Sequence, residues 1–196
     1  MDIEHIKEIL KQLDNLYKEQ SDNSQYNIPN ELVCKMATLE LCGWLEDKFD
    51  KMIMDCRDNF YKQLPKLDPK IPNKDFLSNF SSYNQSISKE LNNVHGLSYT
   101  KHFRKLLVCL LGNPLVLVLE FNIGLDEMEI FSEKLDELHE YRGKLAHKSF
   151  PNISIQQTLD TPSVTINRFE AIIPTLQKFE DSLNSLVVSF SNTCIN

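Results

Sequence analysis

Hydrophobic residues recur along most of the chain at intervals of three and four positions, the spacing that places them on one face of an α-helix. The pattern predicts helices over residues 2–17, from about 28 to 60, 75–91, 100–111, 125–148 and 167–190. Three prolines between residues 65 and 72 are expected to end the long second helix, because proline lacks a backbone donor and restricts the residue before it. The expected fold is an all-α helical bundle.

This pattern leaves the secondary structure of two segments open. The stretch LVLVLEF (115–121) has the composition of a strand, but a lone strand has nothing to pair with, so a buried turn or helical piece is expected. The connection over 151–166 is rich in Pro, Ser and Thr and allows a short hairpin. Pro174 either kinks the last helix or marks its true start.

Composition supports one globular domain over residues 1–196. A chain of this length has enough material for one well-buried core, and its 41% hydrophobic and 25% charged residues are ordinary for a folded protein. Its 5 glycines are too few for a barrel or sandwich of many short strands.

Charge and cysteine content indicate a cytoplasmic protein without a membrane partner. The N-terminal MDIEHIKEILKQLD has no apolar core of a signal peptide, and the apolar run after residue 105 is interrupted at Gly112-Asn113-Pro114. The five cysteines show no CxxC pair and fit a reducing compartment. A net charge of −7 argues against an extended nucleic-acid surface but allows a local basic cleft.

Arg142 interrupts the apolar stripe of the predicted helix 125–148. A guanidinium there is unfavourable unless it is paired, or unless the stripe opens onto a cleft or a partner subunit. His147 lies about 140° further around the helix, so one helix cannot easily aim both groups at one phosphodiester. Two copies of the helix related by a two-fold axis could together present two arginines and two histidines to one phosphodiester. The apolar members of the stripe are Met128, Phe131, Leu135, Leu138 and Leu145.

The segment LHEYRGKLAH (138–147) resembles the motif of the HEPN superfamily, an Arg and a His separated by four to six residues near a helix end. The earlier segment LCGWLE (41–46) looks like the "apolar, Trp, x, Glu" segment of the RiboL-PSP branch. The order of elements is also similar, so that the resemblance covers roughly residues 30–190. In the family the residue after the motif Arg is usually polar, often Asn, whereas this chain has Gly143 at that position.

This resemblance implies a metal-independent endoribonuclease of the toxin or antiviral-defence kind. His147 would act as general base or acid, Arg142 would stabilise charge on the phosphate, and Lys144 and Lys148 would hold flanking phosphates. The 2′-hydroxyl would attack at a composite site in a homodimer. Glu46 either orients Arg142 or faces solvent. No metal, nucleotide or organic cofactor is expected; partners are RNA, a second copy and a cognate antitoxin or regulator.

Two other interpretations remain open at the level of sequence. Gly143 and the acidic balance are compatible with a catalytically inactive HEPN-type dimerisation or partner-binding module. Arg142 and His147 could also be cations that interact with the C-terminal end of the helix dipole, in a helical adaptor unrelated to HEPN. An enzyme requires Arg142 and His147 of both subunits to line one accessible basic cleft.

Overall fold

Helices make up the regular structure of the residues that the computed structural model describes, which are 2–22, 30–63, 74–146 and 159–193. A five-residue π-helical turn, Tyr99–Phe103, leads directly into the fourth helix. The prediction of an all-α protein is confirmed. The α-helices are α1 (Ile3–Asp22), α2 (Asn30–Gln63), α3 (Lys74–Asn93), α4 (Arg104–Leu111), α5 (Asn113–Ile123), α6 (Leu125–Ala146) and α7 (Pro162–Thr193).

The two longest helices, α2 and α7, form the centre of the bundle. They are 34 and 32 residues long and pack against each other. α1 packs against both, α6 also contacts both, and α5 packs against α6 and α7. α6 is thereby held against the two central helices.

An aromatic cluster fixes the π-helical turn between α2, α6 and α7. Phe103 stacks on Phe49 of α2 with ring centroids 4.3 Å apart, and it meets Phe179 of α7 edge-on at 5.4 Å. Phe131 of α6 lies 5.6 Å from Phe179, and Tyr99 packs edge-on against Phe131 at 5.8 Å. Such pairs each contribute about 0.5–1.5 kcal/mol beyond the burial of their area. The turn is therefore part of the core.

The segment 115–121 lies in α5, so its expected helical character is correct, whereas its expected burial holds for only one face of the helix. Val116, Leu119 and Ile123 are buried against the neighbouring helices. The other face is exposed, because α5 packs on the outside of the bundle. Its exposed apolar side chains are Leu115, Leu117, Val118 and Phe121.

The start of α7 differs from the prediction, since the helix begins at Pro162 and not at Asn167. Proline suits the first helical position, where its missing N–H would have no helical acceptor anyway. Residues 162–166 are helical, which excludes this part of the predicted hairpin; residues 151–158 lie outside the described residues, as do the prolines over 65–72. Pro174 lies within α7, which continues through it.

Membrane-spanning potential is limited in the described residues. No single helix is long and apolar enough to cross a bilayer. Only Tyr99–Leu111 and Asn113–Ile123 together reach the required length and composition, and they meet at an angle of 119°.

Removing the carboxylate of Glu180 should destabilise the fold, because it leaves the ammonium of Lys48 buried without its partner. Lys48 on α2 is 6% exposed and donates to both oxygens of Glu180 on α7 at 2.7 Å. We expect Glu180→Ala to lower the free energy of unfolding by about 1–3 kcal/mol in urea denaturation. Glu127→Ala breaks an ion pair with Lys178 in which both side chains are about half exposed, and should cost at most about 1 kcal/mol. Equal losses in the two variants would contradict this assignment.

Candidate active site around Arg142

The apolar stripe of α6 is buried as predicted, and Arg142 opens to the surface at its C-terminal end. The five apolar members of the stripe are each at most 7% exposed, whereas the Arg142 side chain is 37% exposed. Its Nη1 donates to Oε1 of Glu46 on α2 at 2.5 Å. Of the two alternatives for Glu46, contact with Arg142 is the one that the structure shows.

The packing of α2 determines where Glu46 lies. Trp44, two residues earlier, packs edge-on against Phe169 of α7 with ring centroids 5.8 Å apart. Cys42, one turn before Glu46, is fully buried. Burial raises the pKa of the Cys42 thiol to about 12, although the nearby Arg142 guanidinium opposes the shift. Cys42 is therefore a protonated core residue at neutral pH and not a nucleophile.

Polar contacts hold the C-terminal part of α6 against the beginning of α7. The Tyr141 hydroxyl accepts a hydrogen bond from the backbone N–H of Asp160. Arg168 of α7 pairs with Asp160 at 2.8 Å and with Glu137 of α6 at 3.2 Å. These contacts fix the turn of α6 that carries Arg142.

A polar recess begins at Glu46 and continues along α2. Its polar walls include Asp47 and Asp50 of α2 together with His95 and Gly96 of the loop that follows α3. Burial raises the pKa of Asp50; His95 opposes this shift, while Asp47 and Glu46 add to it. Glu46 therefore connects Arg142 to a recess that carries further carboxylates, and an anion approaching Arg142 through this recess would be repelled.

The other sequence-predicted cations are less constrained or lie outside the described residues. Lys144 is exposed and forms only a loose ion pair with Glu140, at 4.0 Å. His147 and Lys148 lie outside the described residues. Of the predicted site, the structure thus brings together Arg142 and Glu46.

The sequence prediction missed a contact between His102 of the π-helical turn and His139 of α6. Their ring centroids are 5.1 Å apart. His139 is one turn before Arg142, which its spacing could have indicated, but only the fold reveals its neighbour. Two basic residues that follow His102 are paired with carboxylates: Arg104 with Glu120 at 2.7 Å, and Lys105 with Glu90 at 2.9 Å.

Comparison with known families identifies the family of this chain. The family model described as RiboL-PSP-HEPN matches residues 2–189, nearly the whole chain. The chain belongs to the RiboL-PSP-HEPN family. The resemblance noted from its motif residues is thereby confirmed and extends to α1. Comparisons with curated proteins and with solved structures gave no match.

Family membership gives a coarse functional class to this HEPN protein. HEPN domains are often ribonucleases, and the class as a whole comprises ribonuclease-like and nucleotide-binding modules. In both cases the ligand carries phosphate, to which a forked guanidinium such as that of Arg142 is suited.

Gly143 should be a site where alanine stabilises this HEPN protein. A Cβ atom added there, or at Gly43 on α2, would meet no atom within 4 Å, and both residues are exposed within helices. Gly143→Ala and the matched control Gly43→Ala should each raise the free energy of unfolding by about 0.5–1 kcal/mol, because alanine favours the helix. Urea denaturation measures both. A loss of stability in Gly143→Ala alone would indicate that a second molecule packs closely against Gly143.

Proposed function

We propose that this HEPN protein is a metal-independent endoribonuclease of the toxin or antiviral-defence kind. The observation that carries the proposal is the placement of Arg142: a partly exposed guanidinium that interrupts a buried apolar stripe and donates to a carboxylate from another helix. A family match over residues 2–189 supports the same reading.

In this mechanism the ribose 2′-hydroxyl attacks the adjacent phosphate and leaves a cyclic phosphate end. Arg142 stabilises the charge that develops on the phosphate oxygens, for which its planar fork of donors is suited. His147 transfers a proton, as the side chain type whose ordinary pKa lies nearest to neutral pH. Lys144 and Lys148 attract the flanking phosphates by charge.

The complete site is proposed to form in a homodimer. His147 lies about 140° around the helix from Arg142, if α6 continues to that residue, so a single copy does not aim both groups at one phosphate. A second copy related by a two-fold axis supplies the missing group. The proposed setting is the cytoplasm, with RNA as substrate and a cognate antitoxin or regulatory protein as further partner.

Arg142→Ala should abolish most of the RNA cleavage measured in EDTA. Loss of one charged donor to the transition state is expected to lower kcat by about 100- to 1000-fold. Glu46→Gln should give a smaller loss, because the amide keeps the size but holds the guanidinium less firmly. Arg57→Ala is the matched control, since Arg57 is a largely buried cation of α2 that pairs with Asp58.

The readout is cleavage of total RNA, with detection of the cyclic phosphate ends, and His147→Ala is tested beside the other variants. Absence of cleavage by the wild type, or equal cleavage by all variants, would overturn the enzymatic proposal. Faster cleavage by Glu46→Gln would show that Glu46 competes with the phosphate and does not orient Arg142.

A second candidate function is that of a catalytically inactive module for self-association or partner binding. Two observations favour it: the carboxylates beside Arg142, and an exposed apolar surface on α5 and the start of α6. We call the latter the α5 surface, formed by Leu115, Leu117, Val118, Phe121 and Leu125. Phe121 and Leu125 are 71% and 67% exposed, and clustered apolar exposure of this kind is typical of interaction sites.

Under this second candidate, Phe121→Asp should weaken self-association. Burial of a large aromatic side chain at an interface commonly contributes 2 kcal/mol or more, so Kd should rise by about 30-fold or more. Sedimentation equilibrium measures the change. Asn122→Asp adds the same charge at the neighbouring exposed position and should leave Kd nearly unchanged. Identical sedimentation of Phe121→Asp and the wild type would exclude the α5 surface as a self-association site.

A further inference from the structure

Two histidines from different elements meet one helical turn from Arg142. His102 comes from the π-helical turn and His139 from α6, with ring centroids 5.1 Å apart and ring planes at 53°. Both residues are partly buried and retain some solvent exposure. We call these two residues the histidine pair.

The histidine pair lies on the same side of α6 as the proposed phosphate-binding group. His139 precedes Arg142 by three positions, a spacing that places the two Cβ atoms about 5–6 Å apart. A phosphodiester held by the Arg142 guanidinium would thus have its ribose within reach of an imidazole. His147, by contrast, is on a different side of the helix if α6 continues to it.

The fold fixes the position of His102 closely. Gly96 has φ +133°, and a Cβ atom added there would lie 2.7 Å from Cε1 of the His102 ring. The glycine backbone therefore packs directly on the imidazole, and no other residue would fit without displacing it. Nδ1 of His102 and Nδ1 of His139 are both buried without a hydrogen-bond partner among the described residues. Buried polar atoms of this kind call for a specific explanation, and proton exchange is one.

The surroundings favour the neutral, proton-accepting form of His102. Burial lowers its pKa, and so do His139 on α6 and Lys101 on its own turn. Asp136 of α6 and a hydrogen bond involving Ser98 act in the opposite direction without cancelling the shift. The neutral form of His102 leaves His139 without a charged neighbour on the π-helical turn at this contact.

We propose that His139 is the general base of the RNA cleavage, with His102 as the residue that positions it; this rests on the ribonuclease function proposed above. The proton of the 2′-hydroxyl passes to His139 as the 2′-oxygen forms its bond to phosphorus. The bond from phosphorus to the 5′-oxygen breaks, and in the function proposed above the proton for that oxygen comes from His147 of the second copy. Arg142 stabilises the phosphate charge throughout. Two histidines with separate roles thus replace a single histidine that serves as both base and acid.

The test is the pH dependence of RNA cleavage in EDTA by the wild type, His139→Gln, His102→Gln and the control His5→Gln, which changes an exposed histidine of α1. General-base catalysis contributes about 100-fold or more, so His139→Gln should lower kcat by that factor and lose the rise of rate with pH. His102→Gln should keep the rise but shift its midpoint. His5→Gln should match the wild type.

NMR titration of the imidazole protons of the wild type provides a readout that does not depend on the variants folding. The pKa of His139 must coincide with the midpoint of the rate increase, and it must rise when a 2′-O-methyl oligoribonucleotide binds. If the wild type cleaves RNA and His139→Gln shows the same pH profile as the wild type, this proposal is overturned but the ribonuclease function is not. An inactive wild type would overturn the ribonuclease function as well, whereas cleavage lost only in Arg142→Ala and His147→Ala would leave that function standing without the histidine pair.

Discussion

The contact between Arg142 and Glu46 joins α6 to α2 at the position where Arg142 interrupts the apolar stripe of α6. A partly buried ion pair contributes little to stability, because the cost of removing two charges from water offsets most of their attraction. Apolar residues in both positions would pack the two helices at least as well. Retaining a charged pair there makes physical sense if the position of the guanidinium matters more than the stability of the contact. We therefore interpret the ion pair as a contact that orients the guanidinium of Arg142.

The charges around this pair restrict how an anion can approach. Glu46, Asp47 and Asp50 make the α2 side repulsive to phosphate, whereas the α6 side carries His139 and Lys144. RNA bound at Arg142 would thus follow the edge of α6 and make few phosphate contacts within one copy. Few contacts imply a shallow dependence of affinity on salt concentration. A net charge of −7 is compatible with such local binding.

Sequence periodicity predicted the helices best where one face of a helix is buried along its whole length. In α6 it correctly identified the buried stripe and the exceptional position of Arg142. Its expected burial was right for only one face of α5, because LVLVLEF is apolar all around and such a segment does not reveal which side faces the core. The start of α7 was missed because proline occurs both at the first position of a helix and in loops, so Pro162 did not indicate which of the two applied.

The candidate site was only partly predictable for a related reason. Arg142 has a local signal, since it breaks a periodic pattern, and Glu46 was one of two alternatives that only the packing of α2 against α6 could decide. The histidine pair has no local signal. His102 meets His139 because the aromatic cluster around Phe103 holds the π-helical turn against α6, and Gly96 leaves room for the ring. Contacts between distant segments of this kind depend on the whole core.

The geometry of α6 also separates the two surfaces for which functions are proposed. Leu125 at its start belongs to the α5 surface, and Arg142 lies about 25 Å further along the helix axis. A partner bound to the α5 surface would therefore leave the Arg142 end open, so the two proposed functions, partner binding and RNA cleavage, are compatible in one molecule. A regulator that blocks cleavage must instead reach the C-terminal end of α6. The carboxylates of the recess would repel an acidic regulator from the α2 side, so it would have to approach from the same edge of α6 as the RNA.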